Sequence, residues 1–111
     1  MTLEQRKYLA DVLFSVSCIE EFIGEDKKFE QYNESKLLQA AVERHIEIIG
    51  EAIKHLLETD TLIPITNARR IVNTRNKIAH GYDEIDNAEI WNIVINHLPI
   101  LKKESEYLLN S

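Results

Sequence analysis

The sequence contains few of the residues that interrupt helices and almost none that could cross-link the chain. Its 111 residues include three Gly, two Pro and one Cys, while 44% are apolar and 29% are charged. Because Gly and Pro are the strongest helix breakers, this composition favours long helices. Cys18 has no second cysteine for an internal disulfide, which indicates a reducing compartment. The length predicts a single domain over residues 1–111.

Long apolar runs are also missing. No stretch approaches the roughly 18 apolar residues that a membrane-spanning helix needs. The N-terminus has no basic start followed by an apolar stretch, because Glu4 and Asp11 lie among its apolar residues. We therefore expect a cytoplasmic protein with no membrane partner.

Acidic side chains are missing from one stretch of an otherwise acidic chain. The net charge is −6, yet the 22 residues between Asp60 and Asp83 carry no carboxylate and four basic side chains. The other 89 residues hold nine basic and 19 acidic side chains, a balance of −10. Positive charge drives phosphate binding, so this stretch predicts a local anion site, with a chance gap in the acids as the alternative. Its basic residues are Arg69, Arg70, Arg75 and Lys77.

Hydrophobic periodicity predicts four helices. They cover residues 3–23, about 20 residues from Leu37, residues 67–79, and a segment that begins at a capping box over residues 86–89. Residues 25–35 are polar and indicate a loop, in which Asn33 or Ser35 can cap the second helix. Short loops and no alternating strand pattern predict an all-α antiparallel four-helix bundle, with room for an extra short helix.

Four further residues refine this prediction. Gly24 and Gly81 end the first and third helices, and Thr66 can cap the third. Gly50, inside the second helix, predicts that a neighbouring helix approaches closely there. Pro99 removes one backbone hydrogen bond and predicts a bend in the fourth helix.

The candidate site is the sequence RNKIAHGY at residues 75–82. Arg75 falls on the apolar face of the third helix, where an unpaired guanidinium is costly, so it needs an anion, a carboxylate partner or a water-filled cleft. In a helix Asn76 and His80 share a face, and Arg75 lies about 100° from Asn76, so the three can converge. Arg is a fixed fork of donors for phosphate, and His exchanges protons near neutral pH.

These side chains are the parts needed for RNA cleavage without a metal. His80 would deprotonate the ribose 2′-hydroxyl while Arg75 holds the phosphate, and the product would be a cyclic phosphate. Each chain offers one such histidine, so a second acid must come from water or from the partner in an isologous dimer. The alternative is a surface arginine and a helix-end histidine stabilised by the helix dipole.

No metal site or cofactor is expected. The Glu-x-x-His pairs of di-iron bundles are missing from the sequence, as is a glycine-rich phosphate loop. Of the other histidines, His45 lies near the apolar edge of the second helix and is expected to be a satisfied core residue. We interpret His55 and His97 as surface or boundary residues.

The motif RNKIAHGYDEID, with AVERHIEIIGEA before it and IWNIVINHLPIL after it, resembles the HepT-like branch of the HEPN superfamily. The resemblance covers residues 38–109 and implies a helical ribonuclease toxin that acts as a homodimer. It also implies an antitoxin of the MNT nucleotidyltransferase type, which transfers AMP to the motif tyrosine. Carried over, Arg75 and His80 are catalytic, Asn76 supports them and Tyr82 accepts AMP. Thr74 departs from the methionine expected before the arginine.

Two other functions remain open. The chain can be a non-catalytic module that offers a nucleotide or a docking surface to a nucleotidyltransferase. It can also be an interaction bundle that retains a vestigial motif. Tyr82 would then be a half-buried aromatic residue near a helix end.

Overall fold

The computed structural model describes residues 1–81 and 85–111, and over these residues the fold is a helical bundle. This confirms the all-α prediction. The helices are α1 (Leu3–Ile23), α2 (Phe29–Glu34), α3 (Lys36–Thr59), α4 (Ala68–His80), α5 (Asn87–Asn92) and α6 (Leu98–Leu109), with a π-helical turn at Ile93–His97 between the last two. None of the described helices combines the length and the apolar character needed to cross a membrane.

The core lies where α1, α4 and α6 meet the long central helix or one another. Helix α3 packs against α1 and α4, and α1 also packs against α6. Aliphatic side chains repeating every three or four residues place one face of each helix inside, which buries apolar area worth about 25 cal/mol per Å². Fully buried members include Leu9, Val12, Ile19, Val42, Ile46, Ile49, Ile53, Leu56 and Ile93.

The ends of α1 and α3 follow the predicted chemistry. Gly24 ends α1 with a φ of 68°, a left-handed conformation that costs glycine little, and its N–H donates to the Glu20 carbonyl at 3.1 Å. Ser35, not Asn33, caps α3, since its Oγ accepts from the Leu38 N–H at 3.1 Å. The predicted boundaries of residues 3–23 for the first helix are therefore confirmed.

The interpretation of residues 25–35 as a loop is wrong in part. Phe29–Glu34 forms α2, whose Tyr32 is completely buried. The Tyr32 ring lies 5.5 Å from the Trp91 ring, and Phe29 lies 6.0 Å from the same ring. Aromatic packing against α5 thus holds a turn of helix that the polar sequence does not indicate.

The start of α4 differs from the prediction. Its N-cap residue is Asn67 at φ 59°, which makes no side-chain capping bond. Thr66 instead binds α6, because its N–H and its hydroxyl donate to the two Glu104 carboxylate oxygens at 2.9 and 2.8 Å. The predicted Thr66 cap is therefore wrong, and the contact ties the start of α4 to the last helix.

The last helical segment is interrupted rather than simply bent. Asp86 caps α5 through the Ala88 N–H at 2.9 Å, as predicted, but Glu89 contacts Lys77 instead of completing the capping box. The Leu98 N–H donates to the Ile93 carbonyl five residues back, and Pro99 lies in the first turn of α6. The wider π turn leaves room upstream of the proline ring, which has no N–H to donate.

Candidate functional site

Helix α4 comes unusually close to α3 at Gly50. A Cβ built on Gly50 would lie 2.7 Å from the Arg75 Cγ and would also clash with the Arg75 Cβ. Real side chains do not tolerate such separations, so only glycine permits this approach. The predicted close approach at Gly50 is confirmed, and the residue it accommodates is Arg75.

The Arg75 guanidinium has a carboxylate partner. Only 20% of its side chain is exposed, and Nη2 lies 2.7 Å from the Glu51 Oε2. The N–H bonds of Nη2 do not point straight at that oxygen, so the contact is an ion pair without good hydrogen-bond geometry. Arg75 Nη1 donates to the Asn76 Oδ1 at 3.0 Å, while Nε is buried and has no acceptor among the described residues.

Arg75 lines a cleft between α1, α3 and α4 with a volume of about 270 Å³. Glu51 links it to His55, whose Nε2 lies 3.1 Å from the Glu51 Oε1, and the His55 ring stacks on Tyr8 at 4.8 Å. Sequence reasoning placed His55 at the boundary and missed this link. The spacing of Glu51 and His55, four residues apart on one helical face, was the available signal. The cleft is lined by Lys7, Tyr8, Asp11, Arg44, Glu47, Ile48, Glu51, Ala52, His55 and Arg75.

His80 lies elsewhere in the single chain. It is exposed in the last turn of α4, which Gly81 ends as predicted by donating its N–H to the Lys77 carbonyl at 2.9 Å. Among the described residues, no hydrogen bond or ion pair joins His80 to Arg75 or Asn76, and His80 does not line the cleft. One chain therefore joins Arg75 to Asn76 and leaves His80 on the outer side of α4.

The predicted phosphate-binding residues also face outward. Arg69 and Arg70 are exposed, whereas Lys77 is held by the Glu89 carboxylate at 3.2 Å. The two arginines therefore contribute more available positive charge to this surface than the lysine does. Tyr82, the predicted AMP acceptor, lies outside the described residues.

The remaining histidines have structural partners. His45 Nδ1 lies 3.0 Å from the Oγ of the buried Ser15, so the histidine has its partner as expected, but it is half-buried at the edge of the core and not a core residue. Burial followed by the charge of Arg44 lowers the His45 pKa. His97 Nδ1 lies 3.0 Å from the Asn67 amide nitrogen. Burial, then the charge of Arg70, lowers the His97 pKa as well. Within residues 1–81 and 85–111, His, Cys, Asp and Glu form no group of three or more suited to a metal ion.

Comparison with known proteins gives consistent matches. The family described as ribonuclease HepT-like matches residues 13–108. A putative RNase of Methanocaldococcus jannaschii is 35% identical over 105 residues, which cover 94% of this chain and 86% of that protein. The probable ribonuclease HepT of Thermococcus cleftensis is 35% identical over 109 residues, covering 97% and 98% of the two chains. No solved structure matches significantly.

Proposed function

The chain belongs to the HepT-like ribonuclease family, and on that premise we propose that it is a metal-independent endoribonuclease. The observation that carries the proposal is the fixed Arg75 guanidinium, which an ion pair and the close approach at Gly50 hold at the edge of a cleft of about 270 Å³. A guanidinium so placed can bind a phosphodiester and stabilise the charge that accumulates on its oxygens during cleavage.

In this mechanism His80 acts as the general base. Its imidazole takes the proton of the ribose 2′-hydroxyl, the 2′-oxygen attacks the adjacent phosphorus, and the 5′-oxygen of the next nucleotide leaves with a proton. The products are a 2′,3′-cyclic phosphate and a 5′-hydroxyl. Arg75 stabilises the transition state, and Asn76 orients the guanidinium through the 3.0 Å contact. No cofactor takes part.

The active form is proposed to be a homodimer. In one chain His80 is exposed and lies outside the cleft that contains Arg75. An isologous interface repeats each contact, so it can bring His80 of one copy near Arg75 of the other and provide two histidines, one as base and one as acid. Arg69, Arg70 and Lys77 on α4 would then contact flanking phosphates of the RNA.

The biological role that we propose is that of a toxin in a two-gene toxin–antitoxin system acting in the cytoplasm. Its antitoxin would be an MNT-type nucleotidyltransferase that transfers AMP from ATP to Tyr82. Tyr82 follows His80 by two residues, so an attached nucleotide would place phosphate and base where the RNA must bind. The modification would block the enzyme without unfolding it.

A second candidate function is a non-catalytic partner module for the same transferase. The observation in its favour is that Glu51 pairs with Arg75 in the single chain and offsets the positive charge on which the catalytic proposal depends. In this case the purified dimer would cleave no RNA but would bind the transferase tightly.

Single-turnover cleavage of a mixed RNA pool by point variants tests the catalytic proposal. Arg75→Ala and His80→Ala should each lower the rate at least about 100-fold, the loss typical for removal of a transition-state donor or a general base. Arg6→Ala, which removes an exposed arginine of α1, is the matched control and should keep the wild-type rate. Undiminished cleavage by both motif variants would contradict the proposal, and an inert wild type that binds the transferase would favour the second function.

Intact mass after incubation with the transferase and ATP tests the proposed role of Tyr82. The wild type should gain AMP and lose activity, whereas Tyr82→Phe should gain no mass and stay active. Tyr107→Phe, at a phenol with 75% of its surface exposed, is the control and should behave as wild type. AMP on the Tyr82→Phe variant would contradict the assignment.

A further inference from the structure

One carboxylate, that of Glu51, contacts both Arg75 and His55 in the cleft. Glu51 Oε2 lies 2.7 Å from the Arg75 Nη2, and Glu51 Oε1 lies 3.1 Å from the His55 Nε2. Each carboxylate oxygen thus has its own partner. Oε2 is shielded from solvent, so its contact with Arg75 is less screened by water and salt than a surface ion pair.

Glu51 is held in place by His55, which has contacts of its own. The His55 ring stacks nearly parallel on Tyr8, with an interplanar angle of 10°, and its second nitrogen lies 3.5 Å from the Glu58 Oε1. Carboxylates therefore flank both nitrogens of this ring, so we assign His55 the role of a fixed support for Glu51. Tyr8, His55 and Glu51 form a chain of contacts that ends at the Arg75 guanidinium.

We propose that Glu51 is a positioning residue for Arg75, which holds the guanidinium in the orientation that receives the scissile phosphate. This inference rests on the proposed ribonuclease function. The Asn76 contact uses one N–H of Nη1, and the Glu51 contact is an ion pair at Nη2, so each Nη atom keeps an N–H for phosphate oxygens. Fixed donors stabilise a transition state without reorganising, whereas a mobile arginine must be ordered in every turnover.

The same carboxylate also repels phosphate. A negative charge beside Arg75 opposes binding of the RNA backbone, so Glu51 weakens binding of the ground state while it improves the geometry of the reaction. Removing the charge should therefore lower both KM and kcat. Loss of a residue that only supports the fold would lower thermal stability and the fraction of active enzyme without lowering KM.

Steady-state RNA cleavage by Glu51→Gln and Glu51→Ala tests this proposal. The expected kcat falls about tenfold in Glu51→Gln, which keeps the shape and one acceptor, and about 100-fold in Glu51→Ala, while KM falls several-fold in both. Glu106→Gln is the control, because Glu106 is exposed on α6 and lies outside the cleft. This control removes an equal charge and should keep the wild-type kcat.

A double variant separates positioning from independent effects. Arg75→Ala combined with Glu51→Ala should be no slower than Arg75→Ala alone, because Glu51 has nothing left to orient. A further loss of kcat in the double variant, or wild-type kcat in Glu51→Ala, would overturn the proposal while leaving the ribonuclease function intact.

The guanidinium can also be observed without RNA. In ¹⁵N NMR spectra of the wild type, the Arg75 Nη groups should rotate slowly and give separate signals, which merge in Glu51→Ala but not in Glu106→Gln. If the wild type cleaves no RNA, the proposed function fails, and these spectra alone decide whether Glu51 fixes Arg75. Merged signals in the wild type would overturn the inference.

Discussion

The side chain of Arg75 occupies the space that a side chain at Gly50 would need. A Cβ on Gly50 would lie 2.7 Å from the Arg75 Cγ, and the Ile71 carbonyl oxygen would lie 3.5 Å away. The following residue, Glu51, supplies the carboxylate that binds the guanidinium. Two consecutive residues of α3 therefore fix Arg75, one by the space it leaves and the other by its charge.

Gly50→Ala should disturb the site more than the fold. Overpacking costs about 1–3 kcal/mol, while alanine gains about 1 kcal/mol of helix propensity, so the net loss of unfolding free energy should not exceed about 2 kcal/mol. Cleavage should fall more than tenfold because Arg75 must move. Urea denaturation and cleavage rates measure both effects, with Lys54→Ala on the exposed face of α3 as the neutral control. Full activity in Gly50→Ala would show that the close approach does not position Arg75.

The contact between Thr66 and Glu104 should contribute measurably to stability. Glu104→Ala removes the acceptor of two hydrogen bonds at the start of α4, and we expect it to lower the free energy of unfolding by about 1–2 kcal/mol. Glu106→Ala, at an exposed position of the same helix, should change it by less than about 0.5 kcal/mol. Equal effects of the two variants in urea denaturation would argue against the contact.

Stability should decrease below neutral pH because of two histidines. The pKa values of His45 and His97 are both lowered, chiefly by burial, so the unfolded chain binds more protons at mildly acidic pH than the folded chain does. Their contribution is complete above the ordinary pKa of about 6.5 and is lost as the pH falls through the folded-state values. The difference in unfolding free energy between pH 7.5 and pH 5.5 should shrink in His45→Gln. An unchanged difference would contradict the direction of the His45 shift.

The basic residues of α4 should contribute unequally to RNA binding. With an uncleavable 2′-O-methyl RNA, Arg69→Gln and Arg70→Gln should each lower the slope of log affinity against log salt by roughly 0.7, the value for one phosphate contact on a single strand. Lys77→Gln should have a smaller effect, because Glu89 already pairs with Lys77 at 3.2 Å. Glu89→Gln should strengthen binding by freeing that charge. A larger loss from Lys77→Gln than from the arginines would reverse this order.

Much of the fold could be predicted from local sequence. The first helix, its Gly24 end and the Ser35 cap depend on periodicity and on short-range hydrogen bonds, which are visible within a few residues. The errors involve partners distant in sequence. Helix α2 depends on packing of Tyr32 against Trp91. Thr66 does not cap α4 because its hydroxyl donates to Glu104, 38 residues away.

At the candidate site too, local features could be predicted and contacts distant in sequence could not. The position of Arg75 on an apolar helical face was enough to predict that it needs a partner, but not that the partner is Glu51, which lies on another helix. Likewise, the capping-box pattern predicted that Glu89 binds the start of its own helix, but Glu89 pairs with Lys77 of α4 instead. Convergence of His80 with Arg75 stays a prediction for the dimer, since one chain places the two apart.

The most direct test of the central claim, that Arg75 and His80 cleave RNA by activating its 2′-hydroxyl, is mass spectrometry of the product ends after digestion in excess EDTA. On this claim the wild type should leave 2′,3′-cyclic phosphate and 5′-hydroxyl ends, and neither Arg75→Ala nor His80→Ala should leave them. Cleavage that stops with EDTA, leaves 5′-phosphate ends or persists in both variants would contradict it.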